Sequence, residues 1–258
     1  MTRLLAATRH EAILRRLDEA RSATVEELGA WLDVSRETIR RDLKLLAGQG
    51  LLEVVHGGAL RREGREAPFA ERRMANREAK AAIAALAAGL VADGMSVLLD
   101  SGTTTEYVAR ALVQAGRRRL AIHTISVEAA RICTALPEGR VRLIGGDFDG
   151  DDDATTGPEM QRALARLSVD MAFVGVGAID EQGELTDYTR LAATTRGLML
   201  RAAEHPYLVG DGSKLGRRLA STVPEAGRVA ALLTDRAPPA AIAAGLAARQ
   251  VAVRVGIS

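Results

Sequence analysis

Ser35-Arg36-Glu37-Thr38-Ile39-Arg40-Arg41-Asp42-Leu43 sorts two kinds of side chain onto two sides of one helix. At 100° per residue, Ile39, Leu43 and Leu46 share one side, the spacing of a buried stripe. Glu37, Arg40, Arg41 and Lys44 share the other, with Arg36 and Thr38 flanking them near the helix start. An apolar back and a guanidinium-rich front suit a helix laid in a DNA major groove. Arg donates two parallel hydrogen bonds to guanine O6 and N7, and neighbouring cations neutralise phosphates. A merely solvated face, braced by a Glu37–Arg41 i,i+4 pair, would use the same residues. The surroundings decide between them.

A second chemical candidate is Asp100-Ser101-Gly102-Thr103-Thr104-Thr105, expected between a strand and a helix. Gly102 permits close backbone approach, a helix start presents unpaired N–H groups, and four hydroxyls add donors, a set that suits a phosphate monoester. No Gly-Lys-Ser/Thr follows, so this is not a Walker A loop. Routine helix capping is the plainer use of the same residues. Gly210-Asp211-Gly212-Ser213-Lys214 also follows a strand. The chain holds only three lysines, Lys44, Lys80 and Lys214, against 32 arginines. A flexible point charge at a strand end is therefore a candidate anion ligand, with a plain surface charge as the alternative.

The elements that must position the first candidate lie immediately around it. Arg9 to Ala20 carries Ile13, Leu14 and Leu17 at helical spacing. Thr24 is expected to cap a second helix, with Glu26 and Glu27 in its positive first turn and Val25, Leu28, Trp31 and Leu32 as its apolar stripe. Asp33-Val34 makes a tight turn, and Ser35 caps the basic helix. This is helix-turn-helix order. Past Gly48 and Gly50, Leu51 to Val55 favours a strand, His56-Gly57-Gly58 a turn, and Ala59-Leu60 a return before Arg61-Arg62. That hairpin is a wing, whose tip could set His56 and nearby N–H groups on a phosphate. Ser35, Arg36, Glu37, Thr38, Arg40, Arg41, Lys44 and His56 are the expected DNA-contacting set.

Beyond a charged stretch from Arg61 to Lys80, apolar strands alternate with helices. Strands are expected near 97–99, 120–122, 141–144, 171–176, 207–209, 229–234 and 251–255. Helices are expected at 81–92, before about Ala115, at 126–136, from Pro158, at 191–203 and near Ala240. Such alternation means an α/β domain on a largely parallel sheet, with ligands beyond the strand C-termini. The expected division is 1–62 for the winged helix-turn-helix, 63–78 for a linker, and 79–258 for the α/β domain. There is no internal repeat.

Composition sets wider limits. At 258 residues and 47% hydrophobic content the chain can build two cores. Net charge is +2, and residues 1–80 hold sixteen Lys and Arg against thirteen Asp and Glu. So small a basic excess excludes a protein that coats nucleic acid by bulk charge; placement must supply specificity. A lone Cys133 allows no internal disulfide, which suits a reducing cytoplasm. The N-terminus lacks an apolar leader, and Ala81 to Ala92 is too short to span a bilayer. The acidic run Asp147 to Asp153 loosely matches a calcium loop, but its Gly comes too early and Pro158 stands where the closing Glu belongs. A solvated loop is expected there. The histidines at 10, 56, 123 and 205 lack zinc-ligand spacing. No metal site or cofactor is expected.

"VSRETIRRDLKLLAGQGLLEVVHGGA", "DGMSVLLDSGTTT", "VRLIGGDF", "DMAFVGVGAID" and "VGDGSKLGR" together make the chain resemble bacterial regulators of the DeoR family along nearly its whole length. The resemblance implies an effector domain similar to ribose-5-phosphate isomerase. It also implies a cytoplasmic homo-oligomer, usually a repressor of carbohydrate-catabolism genes released from operator DNA by a phosphorylated sugar. Carried over by position, Asp100, Ser101, Gly102, Thr103, Thr104 and Thr105 would hold the effector's phosphate, with Asp211 and Lys214 in the same pocket. Thr124 and Ser126 would also line it. Where the family commonly has an Asn between those two, this chain has Ile125. Where it has a Glu and, four residues on, a Lys, this chain has Leu191 and Thr195. The phosphate loop survives while the sugar-reading part is altered. The expected function is a DNA-binding transcriptional regulator. The competing reading is a sugar-phosphate isomerase-like enzyme with Asp100, Asp211 and Lys214 near one cleft, although no Glu or His is placed as a base.

Overall fold

The chain divides after Ala67 into two units. The computed structural model describes residues 6–20, 22–48, 51–55, 57–61, 66 and 68–256. In the first unit, helix α1 (Ala6–Ala20) leads through strand β1 (Ser22–Thr24) into α2 (Val25–Leu32) and α3 (Arg36–Gly48). Thr24 accepts from Glu27 N while the Glu27 carboxylate accepts from Thr24 N, a capping box worth about 1 kcal/mol. Asp33 takes the left-handed conformation and ends α2 by donating to Gly29 O. Ser35 Oγ accepts from Thr38 N at 3.1 Å, the cap expected of it.

Ile13, Leu17, Leu28, Ile39, Leu43 and Leu46 meet in one core. Trp31 departs from expectation: it is half exposed, and Gly29 takes the buried place. On a helical wheel Trp31 lies about 100° from the centre of the Val25, Leu28, Gly29 and Leu32 stripe. Strands β2 (Leu52–Val55) and β3 (Gly58–Arg61) form the expected antiparallel wing. Beyond expectation, β1 adds a third strand against β3. A Cβ on Gly58 would lie 2.3 Å from Ala23 O, so only glycine admits that pairing. His56 falls outside the described residues.

The second unit begins with α4 (Phe69–Met74) and α5 (Arg77–Leu90), in keeping with a charged stretch expected to become helical around Glu71. Then follow β4 (Ser96–Leu99), α6 (Thr103–Gln114), β5 (Ala121–Thr124), α7 (Val127–Cys133) and β6 (Arg140–Leu143). A hairpin of β7 (Asp147–Asp149) and β8 (Ala154–Thr156) precedes α8 (Gly157–Leu164) and β9 (Val169–Gly175). The remainder runs β10 (Ala178–Ile179), β11 (Leu185–Asp187), α9 (Arg190–Ala202), β12 (Ala203–Val209), β13 (Ser221–Thr222), β14 (Ala231–Thr234), α10 (Ala240–Ala248) and β15 (Ala252–Val255).

Seven strands make one parallel sheet in the order β15-β14-β12-β9-β4-β5-β6. Alternate residues of its central strands feed two cores, so these strands read as continuous apolar runs. Leu98, Val174, Leu208 and Leu232 pack with α8, α9 and α10. Val97, Leu99, Phe173, Tyr207 and Leu233 pack with α5, α6 and α7. Because all seven strands run the same way, their C-terminal ends share one edge of the sheet. That edge gathers the loops after β4, β5, β9, β12 and β14.

Two departures concern irregular stretches. Asp147 to Asp153, expected as a solvated loop, is mostly hairpin, and Asp152 pairs with Arg72 at 2.5 Å. The small antiparallel sheet β10-β11-β13 gave no alternating signal, because its strands are two or three residues long.

Candidate functional site

On α3 the apolar back is buried as expected, with Ile39, Leu43 and Leu46 at most 2% exposed. The front is open. Arg36, Glu37, Arg40, Arg41 and Lys44 are exposed, and Arg41 has 80% of its side-chain surface free. Glu37 approaches Arg41 at 3.4 Å and Arg40 at 3.9 Å, and Arg36 pairs with Glu26. Exposed pairs of this kind contribute well under 1 kcal/mol, so Glu37 holds these guanidinium groups only weakly.

One charge on this helix is not at its front. Asp42 is buried and accepts from Arg9 Nε at 2.5 Å and Arg9 Nη2 at 3.0 Å, with His10 Nε2 at 2.9 Å. Burial alone would raise its pKa; the Arg9 and His10 hydrogen bonds outweigh that and hold it below the usual carboxylate range. The pair pins α3 to α1. Sequence reading missed it because Asp42 falls between the two faces of the helix.

In the second unit, the Asp100–Thr105 loop runs from β4 into α6. Gly102 has φ +130° and ψ 160°, a conformation open essentially to glycine alone. Thr105 Oγ1 and Glu106 N both donate to Gly102 O, at 2.8 and 3.1 Å, while the N–H groups of Thr103 to Thr105 lie too early in α6 to have intrahelical acceptors. Asp100 is spent on the loop itself. It is 2% exposed and accepts from Ser101 N at 2.7 Å, Gly175 N at 3.0 Å and Arg196 Nε at 3.2 Å. Burial is the dominant effect on its carboxyl and raises the pKa despite Arg196.

Thr124 ends β5 and Ser126 opens α7 on the same sheet edge, both buried. Thr124 Oγ1 accepts from Ser126 N at 3.0 Å, and Ser126 Oγ caps α7 through Ala129 N at 3.1 Å. Ile125 turns into the core beside Ile144 and Met160. Asp211 and Lys214 follow β12. Asp211 Oδ1 accepts from Ser213 N at 2.9 Å and from Asn76 Nδ2 at 3.1 Å. Lys214 is half-buried.

Three polar residues join this edge without having been expected there. Lys80 is 4% exposed, and its Nζ donates to Ala75 O at 2.6 Å and to Arg72 O. Burial lowers its pKa to about 8; Asp211 opposes that and Lys214 reinforces it. Asn76, in the left-handed conformation between α4 and α5, reaches Asp211. Arg196 lies between the Asp100 and Asp187 carboxylates. Being one of only three lysines was the signal for Lys80. Nothing local marked Arg196 or Asn76. Leu191 is half exposed, and Thr195 is buried beside Gln161.

Residues 9–64 match the DeoR-like helix-turn-helix domain, and residues 75–236 match the DeoR C terminal sensor domain. The chain belongs to the DeoR family. It is a DNA-binding transcriptional regulator and not an enzyme. Among relatives of this DeoR-family chain, the HTH-type transcriptional repressor CsqR of Escherichia coli K12 is 33% identical across 98% of this chain and 97% of its own. The glycerol-3-phosphate regulon repressor of the same organism is 30% identical across 91% and 92%. Ribose 5-phosphate isomerase A of Methanocaldococcus jannaschii matches 55% of each chain at 22% identity with a TM-score of 0.40.

Proposed function

We propose that this DeoR-family regulator represses carbohydrate-utilisation genes and leaves its operator when a phosphorylated metabolite occupies the C-terminal edge of the seven-stranded sheet. The observation that carries the reading is that two separate loops, after β4 and after β12, leave the same edge of the sheet on either side of β9. One offers a helix start with the hydroxyls of Ser101, Thr103 and Thr104, Thr105 having committed its O–H to Gly102 O; the other offers Lys214 with Lys80 behind it. Thr124 and Ser126 lie on the same edge; their hydroxyl oxygens accept from Ser126 N and Ala129 N, which fixes both side chains and keeps each O–H as a donor for a ligand. Ile125, buried, presents no polar group to a sugar. The effector is read chiefly through its phosphate, in keeping with a relative named for a glycerol-3-phosphate regulon.

On the DNA side, Arg40, Arg41 and their neighbours on α3 enter a major groove, and the wing with His56 touches backbone. Two or more subunits place such helices in successive grooves in the cytoplasm. Ligand shifts the operator-fitting arrangement only through differential affinity for it. The buried Cys133, its pKa pushed up to about 12, is an inert thiol suited to that compartment. Among the described residues no helix is long and apolar enough to cross a membrane, and no group of three acidic, His or Cys side chains is placed to hold a metal.

The test is a titration of DNA flanking the gene, with and without triose, pentose and hexose phosphates. One of them should weaken binding to wild type, while Lys214→Ala binds the same DNA and fails to release it. Release unchanged in that variant overturns the assignment of Lys214.

A further inference from the structure

Residues 69–80 are the first helical stretch after the winged-helix unit, and they carry one polar tie to each candidate effector segment. Arg73 grips Glu106 with two bonds, Nε to Oε2 at 3.2 Å and Nη2 to Oε1 at 2.8 Å. Glu106 is 1% exposed and stands in the first turn of α6, directly after Thr105. Asn76 donates to the Asp211 oxygen that also accepts from Ser213 N, so one carboxylate orders both the β12 loop and the α4–α5 bend. Arg72 pairs with Asp152 of the β7–β8 hairpin, and that hairpin is bonded to the β5 loop through Thr155 N to Ile125 O at 2.8 Å and Val127 N to Asp153 O at 3.0 Å. The Phe69 ring lies under the Arg72 and Arg73 guanidinium groups, 5.1 and 5.3 Å from its centroid. Helix α4 is thus held chiefly by charge.

We infer that Arg73 and Asn76 are positioning residues that fasten the chain emerging from the DNA-binding unit to the effector loops, and that ligand loosens this fastening. The inference rests on the effector reading above. A phosphate at the start of α6 sets a dianion beside Glu106 and competes with it for Arg73, whose side chain, 44% exposed, is open to solvent on one side. That competition is a differential interaction with the fastened and released states, which any ligand-driven shift requires. The same contacts could serve only to hold α4 in place; response to ligand separates the two.

The experiment is hydrogen exchange on the full chain with inorganic phosphate, against chloride at equal ionic strength. Phosphate should protect the amides of residues 101–106 and speed exchange across 69–76 by about fivefold or more, the low end of ordinary coupling. In Arg73→Ala, and in the milder Asn76→Ala, residues 69–76 should exchange fast without phosphate and change less than about twofold on adding it, a small fraction of that coupling. Protection of 101–106 with no change across 69–76 in wild type overturns the fastening while leaving the effector reading intact. No protection of 101–106 overturns both.

Discussion

Asp42 of α3 and Arg9 of α1 form a buried pair, each 7% exposed, joined by two hydrogen bonds of 2.5 and 3.0 Å. The pair sets α3 against α1 at a point its apolar stripe does not reach. It also leaves Arg36, Arg40 and Arg41 as the arginines of α3 exposed to solvent.

Asp42→Asn leaves the Arg9 charge buried without a counter-charge. Breaking a buried pair from one side costs about 3–5 kcal/mol, so denaturant unfolding of the N-terminal unit should shift to distinctly lower midpoints. Because the folded pKa of Asp42 is depressed, its contribution is present above the unfolded value near 3.8 and is lost as pH falls below that. Acid unfolding of this unit should therefore be steeper in wild type than in the variant. Equal slopes would mean that Asp42 does not drive it.

Arg40→Ala and Arg41→Ala remove groups whose only protein partner among the described residues is the exposed Glu37. Melting temperatures should stay within about 1 °C, since surface pairs contribute little. Operator binding should weaken by about 1–3 kcal/mol per variant and lose discrimination at one base position each, if these residues read bases. Binding measured by fluorescence anisotropy on single-base operator variants checks this. Weakening uniform over all sequences would reassign the arginine to phosphate.

Lys80 should give the second unit an alkaline signature. Burial lowers its folded pKa to about 8 against an ordinary 10.5. Between those values the unfolded chain holds a proton that the native state has released, so stability rises with pH across that window. The neutral amine keeps two N–H donors, enough for the Arg72 and Ala75 carbonyls it serves. Lys80→Met should lose the rise and, by stranding both carbonyls, be less stable than wild type at pH 10. Parallel profiles for the two proteins from pH 7 to 10 would refute the burial of a charged Lys80.

The recognition helix, its apolar back, the Thr24 and Ser35 caps and the wing were all legible along the chain. Helical and strand periods and caps are written in residues a few positions apart. The same holds for the strand–helix alternation that makes the parallel sheet. Trp31 misled because bulk and hydrophobicity outweighed its angle on the wheel. The β7–β8 hairpin hid in an acidic run, since Asp is depleted in strands and short pairing leaves no period.

Local pattern, then, determined the helices of the first unit, the wing, most of the strand–helix alternation and which side of α3 faces outward. Only the tertiary structure decided how the charges are spent. Arg9 meets Asp42 across 33 positions, Arg196 meets Asp100 across 96, and Asn76 meets Asp211 across 135. An isolated charge looks the same in sequence whether it is solvated, buried in a pair or poised for a ligand. What distinguishes these is the partner that folding brings up, and a parallel sheet delivers distant loops to one edge whatever their separation along the chain.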